Sequence, residues 1–166
     1  MSCKKIGLLG GRGYVGQEII SLLNNNNDLH IGSVYSSSRA GQSVSMDASV
    51  EIIYQDLALD KIDLGDEEAF ILALPNKKSQ QYVDLITNHN KEAIIVDLSS
   101  DHRFDKNWEY RIPELSDPVS SKKISNPGCY ASAMQFMIAP ILNILDGPVN
   151  LFGISGYSGA GASPNQ

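Results

Sequence analysis

Apolar and polar positions alternate in a regular order along this chain. Ile6 to Leu9 is a short apolar run, followed at once by Gly10-Gly11-Arg12-Gly13-Tyr14-Val15-Gly16. Ile19, Ile20, Leu22 and Leu23 then recur at helical spacing until the polar run Asn24 to Asn27. The pattern predicts strand, glycine turn, helix and stop. Ile31 to Tyr35 predicts a second strand, with the polar loop Ser36-Ser37-Ser38-Arg39-Ala40-Gly41 behind it. Val50 to Tyr54 predicts another. Ala69 to Leu74, ended by Pro75, and Ala93 to Leu98 have the apolar runs of strands buried on both faces. Between them Ser79 to Ile86 is amphipathic and predicts a helix. Ser99 to Ser125 reads as a polar, proline-bearing loop. Tyr130 to Leu145 predicts a helix with a broad apolar face, interrupted by Pro140, and Leu151 to Ser155 a final strand. Strands alternating with helices predict an α/β fold: a doubly wound, mostly parallel sheet with ligands at the carboxyl ends of its strands.

Composition narrows the function classes. The chain has 166 residues, 42% hydrophobic and 19% charged, which suits one globular domain with a real core. Thirteen basic residues against nineteen acidic ones give a net charge of −6 and argue against a nucleic-acid partner. No apolar run approaches the roughly 20 residues that span a bilayer, so no membrane partner is expected. Met1-Ser2-Cys3-Lys4-Lys5 leads into no secretory h-region or cleavage site. The two cysteines, Cys3 and Cys129, provide no disulfide framework, which favours a reducing, cytoplasmic setting. His30, His89 and His102 are scattered, and no metal site is expected.

The glycine turn carries the first chemistry. Glycines between a strand and a helix let backbone N–H groups approach a pyrophosphate, and the helix N-terminus adds positive potential. Gly11-Gly13-Gly16 fits one dinucleotide register and Gly10-Gly13-Gly16 another. An ordinary glycine-rich βα turn is the plain alternative. An NAD site usually places Asp or Glu at the end of the second strand. Here Tyr35-Ser36-Ser37-Ser38-Arg39 has hydroxyls and a guanidinium, and no acid follows until Asp47. That suits a 2′-phosphate and favours NADP(H), unless the serines are merely a solvated loop. Arg12 can reach a cofactor phosphate or stack on adenine.

The second feature is Ser125-Asn126-Pro127-Gly128-Cys129-Tyr130, between the long loop and the next helix. A cysteine at a helix start feels the positive end of the dipole, which favours the thiolate. A thiolate beside a nicotinamide suggests that an acyl phosphate enters as a thioester and leaves as an aldehyde. The plain alternative is an inert cysteine. His102, in Asp97-Leu98-Ser99-Ser100-Asp101-His102-Arg103, reads as a loop histidine rather than a base. Arg103 is the candidate cation for a substrate anion, or else part of a surface salt bridge.

Taken together, Gly10 to Gly16, Ser36-Ser37-Ser38-Arg39, Leu72-Ala73-Leu74-Pro75, Asp97 to Phe104, Ile112-Pro113-Glu114-Leu115, Ser125 to Tyr130 and Gly156-Tyr157-Ser158-Gly159-Ala160-Gly161 resemble the N-acetyl-gamma-glutamyl-phosphate reductases of arginine biosynthesis. The resemblance runs from Lys5 to Gln166, and the aspartate-semialdehyde dehydrogenases are wider relatives. It implies a Rossmann-like domain and NADPH-dependent reduction of N-acetyl-glutamyl 5-phosphate to the semialdehyde. It makes Cys129 the nucleophile. Gly10, Arg12, Gly13, Tyr14, Val15 and Gly16 would form the cofactor turn, with Ser36, Ser38 and Arg39 near the 2′-phosphate. Pro75 would lie beside the cofactor, and Ser158, Gly159 and Gly161 near its nicotinamide end. Ser99, Arg103 and Asn126 would hold the substrate.

Members of that family are longer. They continue into an α/β dimerisation and substrate domain that carries the catalytic His, and no histidine follows His102 here. The expectation is therefore a cofactor-binding part over 1–155, with 156–166 opening the second domain. It should bind NADP(H) and lack efficient turnover. The full-length form would be a homo-oligomer acting on a small acyl phosphate. Related enzymes also occur in organelles, so a mitochondrial or plastid location stays open. So do an aspartate-semialdehyde dehydrogenase relative and a non-catalytic NADP-binding module.

Overall fold

The computed structural model describes residues 3–44, 52–118, 120–156 and 159. Its strands are β1 (Lys4–Leu9), β2 (Leu29–Ser36), β3 (Ser43–Val44), β4 (Ile52–Asp56), β5 (Ala69–Leu72), β6 (Ile94–Asp97), β7 (Glu109–Tyr110) and β8 (Lys123–Ser125). The α-helices are α1 (Tyr14–Asn24), α2 (Ser79–His89) and α3 (Cys129–Ile138). The strands form one sheet in the order β3-β4-β2-β1-β5-β6-β8-β7. Every pairing is parallel except β3 with β4.

Alternation along the central strands separates two cores, because successive side chains point to opposite faces. On β1, Leu8 enters a cluster with Ile20 of α1, while Leu9 enters a second with Val83 and Ile86 of α2. Val34 and Tyr35 divide the same way on β2. The sheet is thus covered on both sides, as a doubly wound fold requires. The chain order reverses at β1: β2 and β4 lie on one side of it, β5 and β6 on the other. The register pairs Leu9 with Tyr35 and Leu72, Leu72 with Asp97, and Asp97 with Ser125. The turns that follow these residues therefore gather on one carboxyl edge.

Three expectations need correction. The loop from Ser99 to Ser125 contains β7 and β8, which complete the sheet beyond β6. The expected helix to Leu145 ends as α3 at Ile138 and continues as a 3-10 helix over Ala139–Ile144. Pro140 has no N–H to donate and its ring crowds the preceding turn. Leu151 to Ser155 forms no strand. Phe152 and Ile154 are 90% and 85% exposed, and apolar character without a neighbouring strand does not make a ladder. No residue of α3 is buried by the described residues. Among them no helix is long and apolar enough to cross a membrane.

Candidate active site at the carboxyl edge of the sheet

The glycine turn sits at the reversal point. The amides of Gly10 and Gly11 both donate to the Tyr35 carbonyl, at 3.0 and 3.2 Å. This ties the turn to the end of β2. Gly10 has φ +89°, and a Cβ there would stand 2.2 Å from the Ala73 carbonyl oxygen. At Gly16 a Cβ would meet the Gly10 oxygen at 2.5 Å and the Gly11 Cα at 2.7 Å, so this glycine lets α1 press on the turn. Gly13 differs. Its Cβ would meet the Gly10 oxygen at 3.5 Å and nothing nearer, and its φ of −63° suits any residue. Packing therefore does not require a glycine at this position, and the backbone there is open to close approach.

Gly13 caps α1 without a side-chain hydrogen bond, and the first turn of α1 has no acid. Tyr14 and Val15 lie exposed there, at 63% and 56%. The helix start thus keeps free N–H groups and positive potential for an anion. Arg12 leaves the turn toward β2 and donates from Nη1 to Ser38 Oγ at 2.7 Å. This pairing of two expected cofactor residues was not predicted by spacing. Arg39 is exposed nearby in sequence, while Ser36 is 3% exposed. Ser36 Oγ accepts from the Ser38 amide at 3.4 Å and shapes the loop from inside. Asp56 lies opposite Ser36 in the β2–β4 register, but its carboxylate accepts from the Ala58 amide and faces Lys61. A dinucleotide phosphate fits this cradle.

The second half of the edge holds the thiol. Cys129 is the first residue of α3 and is exposed. Gly128 caps the helix with φ −70° and ψ 160°, and the first turn carries no acid. The Arg103 guanidinium lies against Gly128: a Cβ there would be 2.9 Å from Nη1. Arg103 Nη2 donates to the Leu98 carbonyl at 3.4 Å, while Nε is buried without a partner. Among the described residues no carboxylate pairs with Arg103, so its charge is available to a ligand. The Asn126 amide donates to the Asp97 carbonyl at 2.8 Å, which fixes the start of the cysteine segment to β6. The Asn126 side chain donates to the Pro127 carbonyl at 2.9 Å.

Between the halves runs a buried polar network that the sequence did not reveal. Asp97 is 0% exposed and accepts from Ser79 Oγ, the Ser99 amide and Ser99 Oγ at 2.8, 3.0 and 2.8 Å. Ser99, expected against the substrate, turns its hydroxyl inward to this carboxylate and also accepts from the Asp101 amide. The Asp101 carboxylate accepts from the amides of Lys77 and Ser79, at 2.6 and 3.1 Å, and so caps α2. Burial opposes its charge. The Lys77 and Ser79 amides, His102 and the Lys78 amide outweigh that and hold the carboxyl below its ordinary 3.8. The loop bearing exposed Pro75 is thereby stitched to the loop bearing Arg103. Of the remaining expected residues, Gly159 is exposed, and its amide donates to the Gly156 carbonyl at 3.1 Å. Ser158 and Gly161 lie outside the described residues.

A mostly parallel sheet with a glycine cradle at its reversal point defines a Rossmann-like nucleotide-binding domain. The chain belongs to the semialdehyde dehydrogenase family: the family model for the NAD binding domain matches residues 5–123. Cys129 lies just past that stretch. N-acetyl-gamma-glutamyl-phosphate reductase of Xanthomonas axonopodis is 42% identical over 98% of this chain and 53% of its own length. The mitochondrial protein arg11 of Schizosaccharomyces pombe is 43% identical over 97% of the chain and 19% of its own length. The chain thus spans about half the bacterial relative and about a fifth of the fungal one. Aspartate semialdehyde dehydrogenase II of Vibrio cholerae, solved with ASA, superposes with a TM-score of 0.72. That match has 15% identity, covers 86% of this chain and 47% of the other, and shows the shared fold.

Proposed function

We propose that this chain is the cofactor-binding, thiol-bearing part of an NADPH-dependent N-acetyl-gamma-glutamyl-phosphate reductase of arginine biosynthesis. The observation that carries the reading is the Arg103 guanidinium, paired with no carboxylate among the described residues and lying against Gly128 at the start of the helix whose first residue is Cys129. In this reading Cys129 Sγ attacks the acyl carbon and inorganic phosphate leaves with the C–O electron pair. Arg103 and the amino end of α3 hold the departing negative charge. The acyl group waits as a thioester on Cys129. The reduced nicotinamide, when bound, supplies a hydride to that carbon. Loss of the thiolate then frees the semialdehyde, so that one hydride replaces the phosphate on the acyl carbon and the proton given up by the thiol ends on the released phosphate. Gly10, Gly13, Gly16 and the free amides of α1 hold the pyrophosphate, and Arg12, Ser38 and Arg39 hold the 2′-phosphate.

The general acid–base is assigned to a second domain. Each histidine of this chain is engaged elsewhere: His30 with Cys3, His89 with the Gly65 carbonyl, His102 with Asp97. The second domain, over and beyond 156–166, would cover the apolar residues of α3 and join subunits. Two free cysteines suit the cytosol and the mitochondrial matrix alike. Calorimetric titration with NADPH and NADH tests the nucleotide half. NADPH should bind, and more tightly than NADH; absence of binding defeats the reading.

A further inference from the structure

We propose that His102 is the positioning residue for Arg103: buried and fixed on three sides, it aims the guanidinium at the start of α3 and keeps Asp97 from neutralising it. The proposal rests on the reading that Arg103 serves an anion at Cys129.

His102 is 2% exposed, although Phe104, two residues on, is 97% exposed. Its ring stacks on Trp108, with centroids 4.0 Å apart and planes 16° from parallel. Its Nδ1 lies 2.6 Å from Asp97 Oδ2 and its Nε2 lies 3.0 Å from Gln80 Oε1. Those restraints fix the ring in position and in plane. The turn around it is tight, with the Asp105 amide donating to the His102 carbonyl at 3.2 Å. Arg103, by contrast, has little of its own to hold it. Among the described residues its one side-chain hydrogen bond is the 3.4 Å contact to the Leu98 carbonyl, and its Nε has no partner; its backbone amide donates to the Ser100 carbonyl at 3.5 Å. A side chain so weakly tethered takes its direction from its backbone, and that backbone is anchored one residue earlier.

The charges divide accordingly. Asp97, fully buried, is the acid at the end of β6 nearest this turn, and His102 joins Ser79 and Ser99 in occupying it. Asp101 is occupied by the amino end of α2. Asp105 accepts from the Asn107 amide and side chain, so all three acids of the segment are committed, and among the described residues no carboxylate pairs with the Arg103 guanidinium. Released from His102, the turn loses that anchor and Asp97 gains a free lone pair at the end of β6.

The test is charge-selective alkylation of Cys129 in a Cys3→Ser background, with iodoacetate compared with iodoacetamide. A cation held at the thiol speeds the anionic reagent. Arg103→Gln should lower the iodoacetate-to-iodoacetamide rate ratio roughly fivefold at low ionic strength, and added salt should shrink the difference. His102→Ala should lower it comparably and change Trp108 emission, the only tryptophan signal of the chain. The double variant should lose no more than either single one. If His102→Ala does not fold, His102→Gln, which can still donate to Asp97 without the stack, should show an intermediate ratio. An unchanged ratio in folded His102 variants, or additive losses in the double variant, overturns the positioning role. An unchanged ratio in Arg103→Gln instead defeats the parent reading, and this proposal with it.

Discussion

The three glycines of the turn should separate when each is replaced by alanine. At Gly16 the new methyl would stand 2.5 Å from the Gly10 oxygen and 2.7 Å from the Gly11 Cα. Both are backbone atoms and neither can rotate away, so α1 must retreat by roughly an ångström. Overpacking of this kind costs about 1–3 kcal/mol. Alanine recovers up to about 1 kcal/mol through helix propensity. The net expectation is a loss of about 1–2 kcal/mol, with NADPH affinity falling as the cradle opens. At Gly13 the methyl meets only the Gly10 oxygen at 3.5 Å, and the φ of −63° needs no adjustment. The entropic gain of about 0.4–1 kcal/mol nearly offsets the preference of an N-cap for glycine over alanine. Stability should therefore change by less than about 1 kcal/mol, while NADPH affinity falls at least about tenfold. Urea unfolding followed by Trp108 fluorescence and nucleotide titration measure both quantities. A Gly13→Ala chain of unchanged stability that binds NADPH like the parent would refute the phosphate cradle. An unaltered urea midpoint in Gly16→Ala would refute the packing argument.

Other consequences are as specific. Arg12→Ala removes the guanidinium that now reaches Ser38 and should weaken NADPH by about 1.5 kcal/mol or more, with NADH unaffected in the same titration. Asp101 is held below its ordinary 3.8, so its stabilisation is complete above that value and is lost as pH falls through the folded one. Between about pH 5 and about pH 3 the parent should lose more stability than Asp101→Asn, as read from urea midpoints. Phe70, fully buried where Gly7 leaves room for its ring, should cost about 3–5 kcal/mol when cut to alanine, measured in the same way.

The sequence showed what local pattern controls and missed what depends on distant partners. The β1 turn, α1 and the buried runs of β5 and β6 were legible because glycines and apolar runs mark them directly. β8 was not, since Lys123-Ile124-Ser125 carries a single apolar residue. It is a strand because the edge of β6 must be paired: the Ile95 amide donates to Lys122 at 2.7 Å and the Asn126 amide to Asp97 at 2.8 Å. Leu151 to Ser155 shows the converse, an apolar run with no strand beside it. In the site, Cys129 at a helix start and Arg12 in the glycine turn could be read from position alone. The burial of Ser99 and the setting of His102 were not legible, because both turn inward to Asp97. For His102 the deciding partners, Gln80 and Trp108, lie in other segments.

Acylation of Cys129 tests the central claim most directly. The chain is mixed with N-acetyl-glutamyl 5-phosphate without nucleotide, and intact and peptide masses are read. The account predicts an N-acetylglutamyl group on Cys129, absent in Cys129→Ser and slowed in Arg103→Gln, with aspartyl phosphate much less effective. An unmodified Cys129, a label on Cys3 instead, or equal acylation by aspartyl phosphate would contradict it.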